Sequence, residues 1–353
     1  MTIGAVVVGT GFGARVHVPA LRAAGFEVLA LVGRDAERTG RRAARLGIDH
    51  TFTSLADALA LAGVEAVTIA APPDAHAALA VEVCDAGRHV ICEKPFALDA
   101  VEAEAMTAAA TRAGVTALVG HEFRWAPERA TAARAIAGGM IGAPRLATLV
   151  QYVPLVADPQ TRVPEWWFDA ARGGGWLGAS GSHIVDQVRC WFGELASLSA
   201  TLPTVAARSG AEDSFVVRAT SVSGVEIVLQ QTAASWTAGV SGLTMVAGTD
   251  GTLEVDATGV WCSDRAGRHL LEPPADLELP VPPEASGDPR HRYTHLEVGP
   301  YTRLCEALRA GIEGSEAPTS VPVPTFADGL ACMRVLDAIC ASAGAGGAVV
   351  SIT

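Results

Sequence analysis

The stretch Val6-Val7-Val8-Gly9-Thr10-Gly11-Phe12-Gly13-Ala14 constrains this chain's fold more than any other. An apolar run that reads as a strand, Ile3–Val8, enters a glycine turn. A helical stretch, Ala14–Ala24, and a second strand-like run, Glu27–Val32, follow it. In such a unit Gly9 permits the tight turn and Gly11 lets the backbone approach a pyrophosphate. Ala14 fills the small-residue position where helix meets strand. The helix then aims its first amides at the phosphates. The turn, with Phe12 and Gly13 inside it, is read as a dinucleotide site, against the alternative of a plain structural turn.

The pattern repeats. Further strands are expected at Ala66–Ala70, His89–Cys92 and Thr116–Val119, with helices at about 14–24, 35–46, 54–61, 75–86 and 99–113. Alternation of this kind implies an α/β fold, a Rossmann-type doubly wound parallel sheet, with its ligand crevice at the strands' carboxyl ends. After about residue 122 the character changes. A helix (126–138), a Pro/Trp-rich segment and a helix near 182–192 precede alternating runs at Ser197–Ala207, Ser214–Ser221, Glu226–Ala233, Ser241–Gly248, Thr252–Asp256 and Gly259–Cys262. Turns at Ser223-Gly224 and Asp250-Gly251 read as hairpins, so a large, mostly antiparallel open sheet is expected. Residues 272–290 read as a surface loop, and helices near 293–311 and 326–342 close the chain. The boundaries expected are 1–122 for a dinucleotide-binding domain and 123–353 for a substrate-binding and oligomerisation domain.

At 353 residues, half of them apolar, the chain can bury two cores. Its formal net charge of −12 excludes a nucleic-acid binder, which needs a basic face. No unbroken apolar run is long enough to span a membrane and no secretory leader is apparent, so a cytoplasmic protein is expected. The seven cysteines include no CxxC pair, which points to buried reduced thiols. No His, Cys, Asp or Glu group has metal-ligand spacing, and no metal is expected.

The second strand ends Leu31-Val32-Gly33-Arg34. Gly33 stands where a carboxylate would hold the ribose of NAD, and Arg34 can pair with a 2′-phosphate in a forked geometry. Arg38, Arg41 and Arg42 add positive charge. NADP is therefore preferred, with NAD the alternative, and a carboxylate placed at Gly33 is expected to shift the choice toward NAD. Asp35 reads as a helix N-cap.

Several motifs then follow in order. These are Ala71-Pro72-Pro73-Asp74-Ala75-His76, Glu93-Lys94-Pro95, Gly120-His121-Glu122-Phe123-Arg124-Trp125-Ala126-Pro127 and the run Gly173-Gly174-Gly175-Trp176 through Gly181-Ser182-His183 to Asp186. Together they resemble the glucose–fructose oxidoreductase / inositol dehydrogenase / rhizopine-catabolism family, Gfo/Idh/MocA, over essentially the whole chain. The resemblance implies hydride transfer to or from sugars, cyclitols and related hydroxy compounds, and homodimers or homotetramers joined through the open sheet. It implies Lys94 as proton relay or carbonyl polariser and His183 as a second catalytic group facing the substrate hydroxyl. Such chemistry needs a group to take the hydroxyl proton and donors to hold the carbonyl oxygen. Glu93 is expected to orient Lys94 or the nicotinamide ribose, and Ala71, Pro72 and His76 to lie by the nicotinamide. Arg124 is expected beside the cofactor or at the domain junction. Glu122, Trp166, Trp167, Trp176 and Asp186 are candidate substrate contacts, the indoles because their faces suit the C–H faces of a ring. Asp186 also reads as a helix residue pairing with a neighbour. The family commonly carries Asp four residues before the histidine. Here that position is Ala179, which leaves Ser180, Glu122 or Asp186 to take part of its role. A cofactor-binding sensor without catalysis, or a reductase of a non-sugar carbonyl or imine, are the rival readings. His17 reads as a cover over the cofactor or as a helix-capping or surface residue, His121 as a subgroup residue that touches cofactor or substrate, and His291 and His295 are unassigned.

Overall fold

In the computed structural model, which describes residues 2–206, 210–280, 294–317 and 319–352, the apolar run Ile3–Val8 forms β1 with every residue buried. Burial on both faces is what a near-continuous Val/Ala/Ile strand in a parallel sheet requires. A wide turn at Gly13–His17 with i→i+5 bonding leads into α1 (Val18–Ala23). The chain continues through β2 (Phe26–Val32), α2 (Ala36–Leu46), β3 (His50–Phe52), α3 (Leu55–Leu59), β4 (Val64–Ile69), α4 (His76–Asp85), β5 (His89–Cys92), α5 (Ala100–Ala113) and β6 (Ala117–Val119). The helix ends follow side-chain chemistry. Asp35 accepts the Arg38 backbone N–H at 2.9 Å ahead of α2, and Asp99 accepts that of Glu102 at 2.9 Å ahead of α5. Gly47 and Gly114, both at positive φ, end those helices.

The six strands are ordered β3-β2-β1-β4-β5-β6, all parallel, so the topological switch lies between β1 and β4. The sequence reading lacked β3, a three-residue edge strand with two exposed residues and no apolar alternation.

The second sheet grows from α6 (Pro127–Ala137), β7 (Pro144–Tyr152), α7 (Ser182–Phe192), β8 (Leu195–Thr201), β9 (Ser214–Ser221), β10 (Glu226–Thr232), β11 (Ser241–Gly248), β12 (Thr252–Asp256), β13 (Gly259–Asp264) and β14 (Gly267–Leu271). After α8 (Thr294–Glu313) and α9 (Phe326–Gly344), β15 (Val350–Ser351) completes it. Nine strands lie in the order β14-β13-β12-β11-β7-β10-β9-β8-β15. The β7–β10 pair is parallel and the other pairs are antiparallel. The central strand β7 lay in the segment read only as Pro/Trp-rich. Strand β10 alternates buried and half-buried residues, as a sheet with one covered face demands. Ile227, Leu229, Phe215 and Val217 lie on the buried side, whereas Leu146, Val216, Leu243 and Met245 are 39–49 % exposed.

The chain divides into two units, Met1–Trp125 with Leu279–Leu330, and Ala126–Glu278 with Ala331–Thr353. The single boundary read at 122/123 therefore differs from the observed division. Residues 279–330 return to the first unit, because Tyr301, Leu304 and Leu308 of α8 share a core with Ala5, Leu21 and Trp125. Among the described residues no helix is long and apolar enough to cross a membrane. All seven thiols are free. Five are buried, but Cys190 and Cys340 are exposed, contrary to the expectation that all are buried.

Candidate active site

Every first-unit motif falls on the carboxyl edge of the parallel sheet: the glycine turn after β1, Ala71–His76 after β4, Glu93-Lys94-Pro95 after β5 and Gly120–Glu122 after β6. Gly9 has φ of 111°, and a Cβ there would lie 2.3 Å from the Ala70 carbonyl oxygen, so only glycine fits. A Cβ on Gly11 meets nothing within 4 Å. The close helix–strand approach assigned to Ala14 falls instead to Gly13, whose Cβ would lie 2.9 Å from Val7 Cγ1, while Ala14 is simply buried. Phe12 meets His17 edge-on, with ring centroids 5.4 Å apart. These features fit a dinucleotide: bare backbone at Gly11, a helix start beyond it and a tight crossover at Gly9.

At the end of β2, Gly33 has a cause of its own. A Cβ there would lie 2.5 Å from both Thr10 Cγ2 and Thr39 Oγ1. A carboxylate at this position must displace both threonines, so it is not a clean probe of cofactor choice. Arg34 is exposed and bonds to no group among the described residues. Arg38 lies 3.9 Å from Asp35, Arg41 pairs with Glu37, and Arg42 binds the Thr10 carbonyl, fixing the glycine turn.

The Glu93-Lys94-Pro95 turn carries the densest electrostatics. Glu93 is 6 % exposed. Its Oε1 lies 3.2 Å from His17 Nε2, and its Oε2 accepts the Lys94 backbone N–H at 3.3 Å. A carboxylate only accepts, so His17 carries its proton on Nε2. Burial pushes the Glu93 pKa up, but the His17 hydrogen bond and the positive charge of its neighbours outweigh burial and leave it below the usual value. A Cβ on Gly120 would lie 2.6 Å from Glu93 Oε1, so the glycine after β6 makes room for this carboxylate. The Lys94–Pro95 bond is cis, and Lys94 is half-buried.

His17 is fully buried and stacks on Tyr301 of α8 at 4.3 Å. Glu122 is 1 % exposed. Its Oε2 is wholly buried without a hydrogen-bond partner among the described residues, and burial first, then the Glu93 charge, hold its pKa well above the usual value. Glu297 on α8 is driven by burial to about 7, with Lys94 and Arg15 opposing. Neither Tyr301 nor Glu297 was singled out from sequence. They lie some two hundred residues from the glutamate–lysine motif, and their one local signature is their four-residue spacing on a helix.

His76 and Arg124 both bond within the first unit. His76 carries the expectation of a place by the nicotinamide. It is 1 % exposed, with Nδ1 3.0 Å from the Pro95 carbonyl oxygen and Nε2 2.9 Å from that of Ala71. Burial lowers its pKa, and the neutral ring, with a single N–H, donates to one of these two carbonyls while packing between the Ala71-Pro72 and Lys94–Pro95 loops. Arg124 binds Asp328 Oδ1 at 3.0 Å and the Pro322 carbonyl at 3.1 Å, both within the first unit. Burial works to raise Asp328, but the Arg124 charge and the Thr325 amide hold it low.

In the second unit a wide turn at Leu177–Gly181 leads into α7. Such i→i+5 turns recur at functional sites. Its start is held by Glu212, whose Oε1 accepts the Leu177 N–H at 2.9 Å, and burial raises the pKa of that carboxyl. Gly174 and Gly175 are required because a Cβ would lie 2.3 Å from the Trp166 carbonyl oxygen and 2.1 Å from Glu212 Oε1, respectively. Ala179 is half-buried, and the neighbouring Ser180 donates to Gln231 Oε1 at 2.8 Å. His183 is 7 % exposed at the second position of α7. Trp166 and Trp167 are half-exposed with centroids 5.9 Å apart, and Trp176, 8 % exposed, lies 6.4 Å from Trp167. A recess between Trp167 and Trp176 is lined also by Phe168, Glu212 and Val156. Asp186, read as a substrate contact, is 2 % exposed, and its Oδ1 lies 4.0 Å from the Cys332 thiol. Cys262, Asp264 and His269 gather within 4.8 Å on the β13–β14 hairpin although their sequence spacing gave no such signal. Asp264 there caps the hairpin turn through the Ala266 amide at 2.7 Å. His295 lies in the first turn of α8, and His291 lies outside the described residues, as do residues 281–290 of the expected loop.

Residues 3–121 match the model of an oxidoreductase family with an NAD-binding Rossmann fold, and residues 130–254 match a GFO/IDH/MocA C-terminal domain. The chain belongs to the Gfo/Idh/MocA oxidoreductase family. It is 32 % identical over 258 residues to a D-apiose dehydrogenase of Paraburkholderia graminis, which covers 71 % of this chain and 67 % of that protein. It is 34 % identical over 197 residues to an uncharacterised oxidoreductase of Synechocystis, where the match spans 56 % of this chain and about half, 53 %, of the relative's length. A levoglucosan dehydrogenase solved in complex with NADH superposes with a TM-score of 0.84 over 100 % of both chains at 21 % identity, a likeness of fold. The Gfo/Idh/MocA fold accounts for both sheets: a six-stranded parallel Rossmann sheet and a separate nine-stranded, mostly antiparallel one.

Proposed function

We propose that this Gfo/Idh/MocA protein is an NAD(P)-dependent dehydrogenase. It would oxidise a secondary hydroxyl, or reduce the matching carbonyl, of a sugar, cyclitol or related polar ring compound. The observation that carries the reading is Lys94: a half-buried lysine at the carboxyl end of β5, held through its own amide by a buried, low-pKa glutamate. The nicotinamide, when bound, accepts or gives the hydride. Lys94 takes the hydroxyl proton in oxidation and returns it in reduction, and His183 is the second candidate catalytic group. Apiose and levoglucosan dehydrogenases among the relatives support a sugar-like ring as substrate. The exposed Arg34, bonded to no group among the described residues, favours NADP(H) as cofactor. The half-apolar outer side of the second sheet, with Leu146, Val216, Leu243 and Met245, supports a homodimer or homotetramer. The alternative of a cofactor-binding sensor draws on Ala179, which offers no carboxylate beside Ser180.

The test is a turnover screen of pyranoses, furanoses, anhydrosugars and cyclitols with NADP+ and with NAD+, alongside direct cofactor titrations. Turnover of one ring class, faster with NADP+, is expected. Tight cofactor binding without turnover of any ring substrate would favour the sensor.

A further inference from the structure

Helix α8 packs on the wide turn Gly13–His17, on the end of β5 and on the Glu122–Trp125 turn. Glu297 and Tyr301 are four residues apart on it and share one face. Tyr301 is the fully buried partner of His17, and His17 is bonded to Glu93, so Glu297 projects toward the same cluster one turn nearer the helix start. Exposure is graded across this cluster. Glu93, Glu122, His17 and Tyr301 are buried, whereas Lys94 and Glu297 are half-buried.

The three carboxyls are differentiated by their surroundings. Glu93 is an anion, fixed by His17 and Lys94. Glu122 is 1 % exposed, burial and then the Glu93 charge hold its pKa well above the usual value, and its Oε2 is unpartnered among the described residues. Glu297 is faced by Lys94 and Glu93 from the β5 loop, by Arg15 from the wide turn and by Glu122. The Arg22 guanidinium of α1 is engaged elsewhere, on the Gly47 carbonyl. Burial brings the Glu297 pKa to about 7, where a carboxyl exchanges protons most effectively at neutral pH. Environments that push neighbouring groups apart in this way divide acid, base and spectator roles among them.

We infer that Glu122 and Glu297 form a proton exit, carrying the hydroxyl proton from Lys94 along the α8 side of the first unit to water. The inference rests on the dehydrogenase reading of Lys94. In oxidation the carbinol C–H bond breaks, and its electron pair leaves with the hydride to the nicotinamide. The O–H bond breaks as the C=O bond forms, and the proton passes to the Lys94 amine. The Lys94 ammonium gives a proton to Glu122 as Glu122 gives its own to the Glu297 carboxylate, and Glu297 releases it to solvent. The sum is alcohol plus oxidised cofactor giving carbonyl, reduced cofactor and one proton. The reductive direction reverses each step.

The first test needs no cofactor. Protein labelled with carbon-13 at the glutamate carboxyls is titrated by NMR. One carboxyl should titrate near pH 7, vanish in Glu297→Gln and move to higher pH in Lys94→Met, because the ammonium that favours the carboxylate is gone. A midpoint unmoved by Lys94→Met overturns the coupling. The second test is kinetic. Glu297→Gln should lower kcat by about tenfold or more at pH 7, leave the substrate KM in place and be rescued by added imidazole. Wild-type kcat in that variant, or a loss that imidazole does not restore, overturns the exit. Lack of turnover by the wild-type protein with every ring substrate overturns the dehydrogenase reading instead.

Discussion

The carboxyl edge of the first sheet gathers Glu93, Lys94, Glu122 and Glu297 around a buried histidine, whereas the turn ahead of α7 gathers Ser180, Gln231, Trp167 and Trp176. Both places are built on a wide helical turn next to a histidine, His17 in one and His183 in the other. One concentrates charge in a buried setting, where each group shifts its neighbour. The other holds neutral hydrogen bonds and indole faces, and its buried carboxyl, Glu212, serves the backbone. Clusters of perturbed titratable groups mark sites where protons move, while aromatic surfaces bind rings with little charge. Under the proposed function, this contrast gives the first unit the proton chemistry and the second the indole faces suited to a ring.

The strongest challenge to that division is Lys94→Ala. It should lower kcat by about a thousandfold, within the range of general acid–base groups, while a fluorescence titration finds cofactor affinity nearly unchanged. Residual wild-type turnover would remove the first unit's chemical role. His183→Ala should cost about a hundredfold in kcat. A change confined to KM would instead make the second unit purely a binding surface, sharpening the contrast. Arg34→Ala should weaken NADPH by about five- to tenfold and leave NADH unaffected, since a forked guanidinium contact to an exposed phosphate is worth roughly 1 kcal/mol. Equal weakening of both cofactors would place Arg34 on a shared part of the dinucleotide.

The smallest effect concerns stability. Glu122 keeps its proton in the folded chain well above the usual value of 4.5, whereas the unfolded chain releases it there. Unfolding therefore releases a proton between those two values, and the charged unfolded form gains as pH rises through that window. Glu122→Gln removes this penalty. It should raise the melting temperature by about 2 °C at pH 8 and by less at pH 5. A gain that is equal at both pH values would mean that Glu122 ionises freely and that the first unit is less strained by its charges than it looks.

Much of the fold was legible because its signals are local. A glycine turn between an apolar strand and a helix specifies β1, and Gly47 and Gly114 punctuate α2 and α5. Edge strand β3, with two of three residues exposed, carries no such signal. Strand β7 was hidden because its half-buried outer residues blur the alternation. The site divides in the same way. Lys94 and Glu93 sit in a short motif, and Asp35 was readable as a cap. The role of Gly33 was not readable, because the threonines that crowd it come from another loop and from α2. Nor were Tyr301 and Glu297, whose meaning depends on α8 returning to pack beside His17.

That return has a consequence for how the protein is made. When a ribosome has extruded residues 1–125, the nascent chain holds all six strands of the parallel sheet but none of Tyr301, Leu304 or Leu308, which complete its core. The dinucleotide half therefore finishes folding only after about residue 330 emerges, later than most of the segment that follows it in sequence. Domains usually mature from the N-terminus as units during synthesis. Here the first to be started is closed by a helix made near the end, so a message truncated after the Rossmann strands yields a fragment with an open apolar seam, prone to capture by chaperones and proteases.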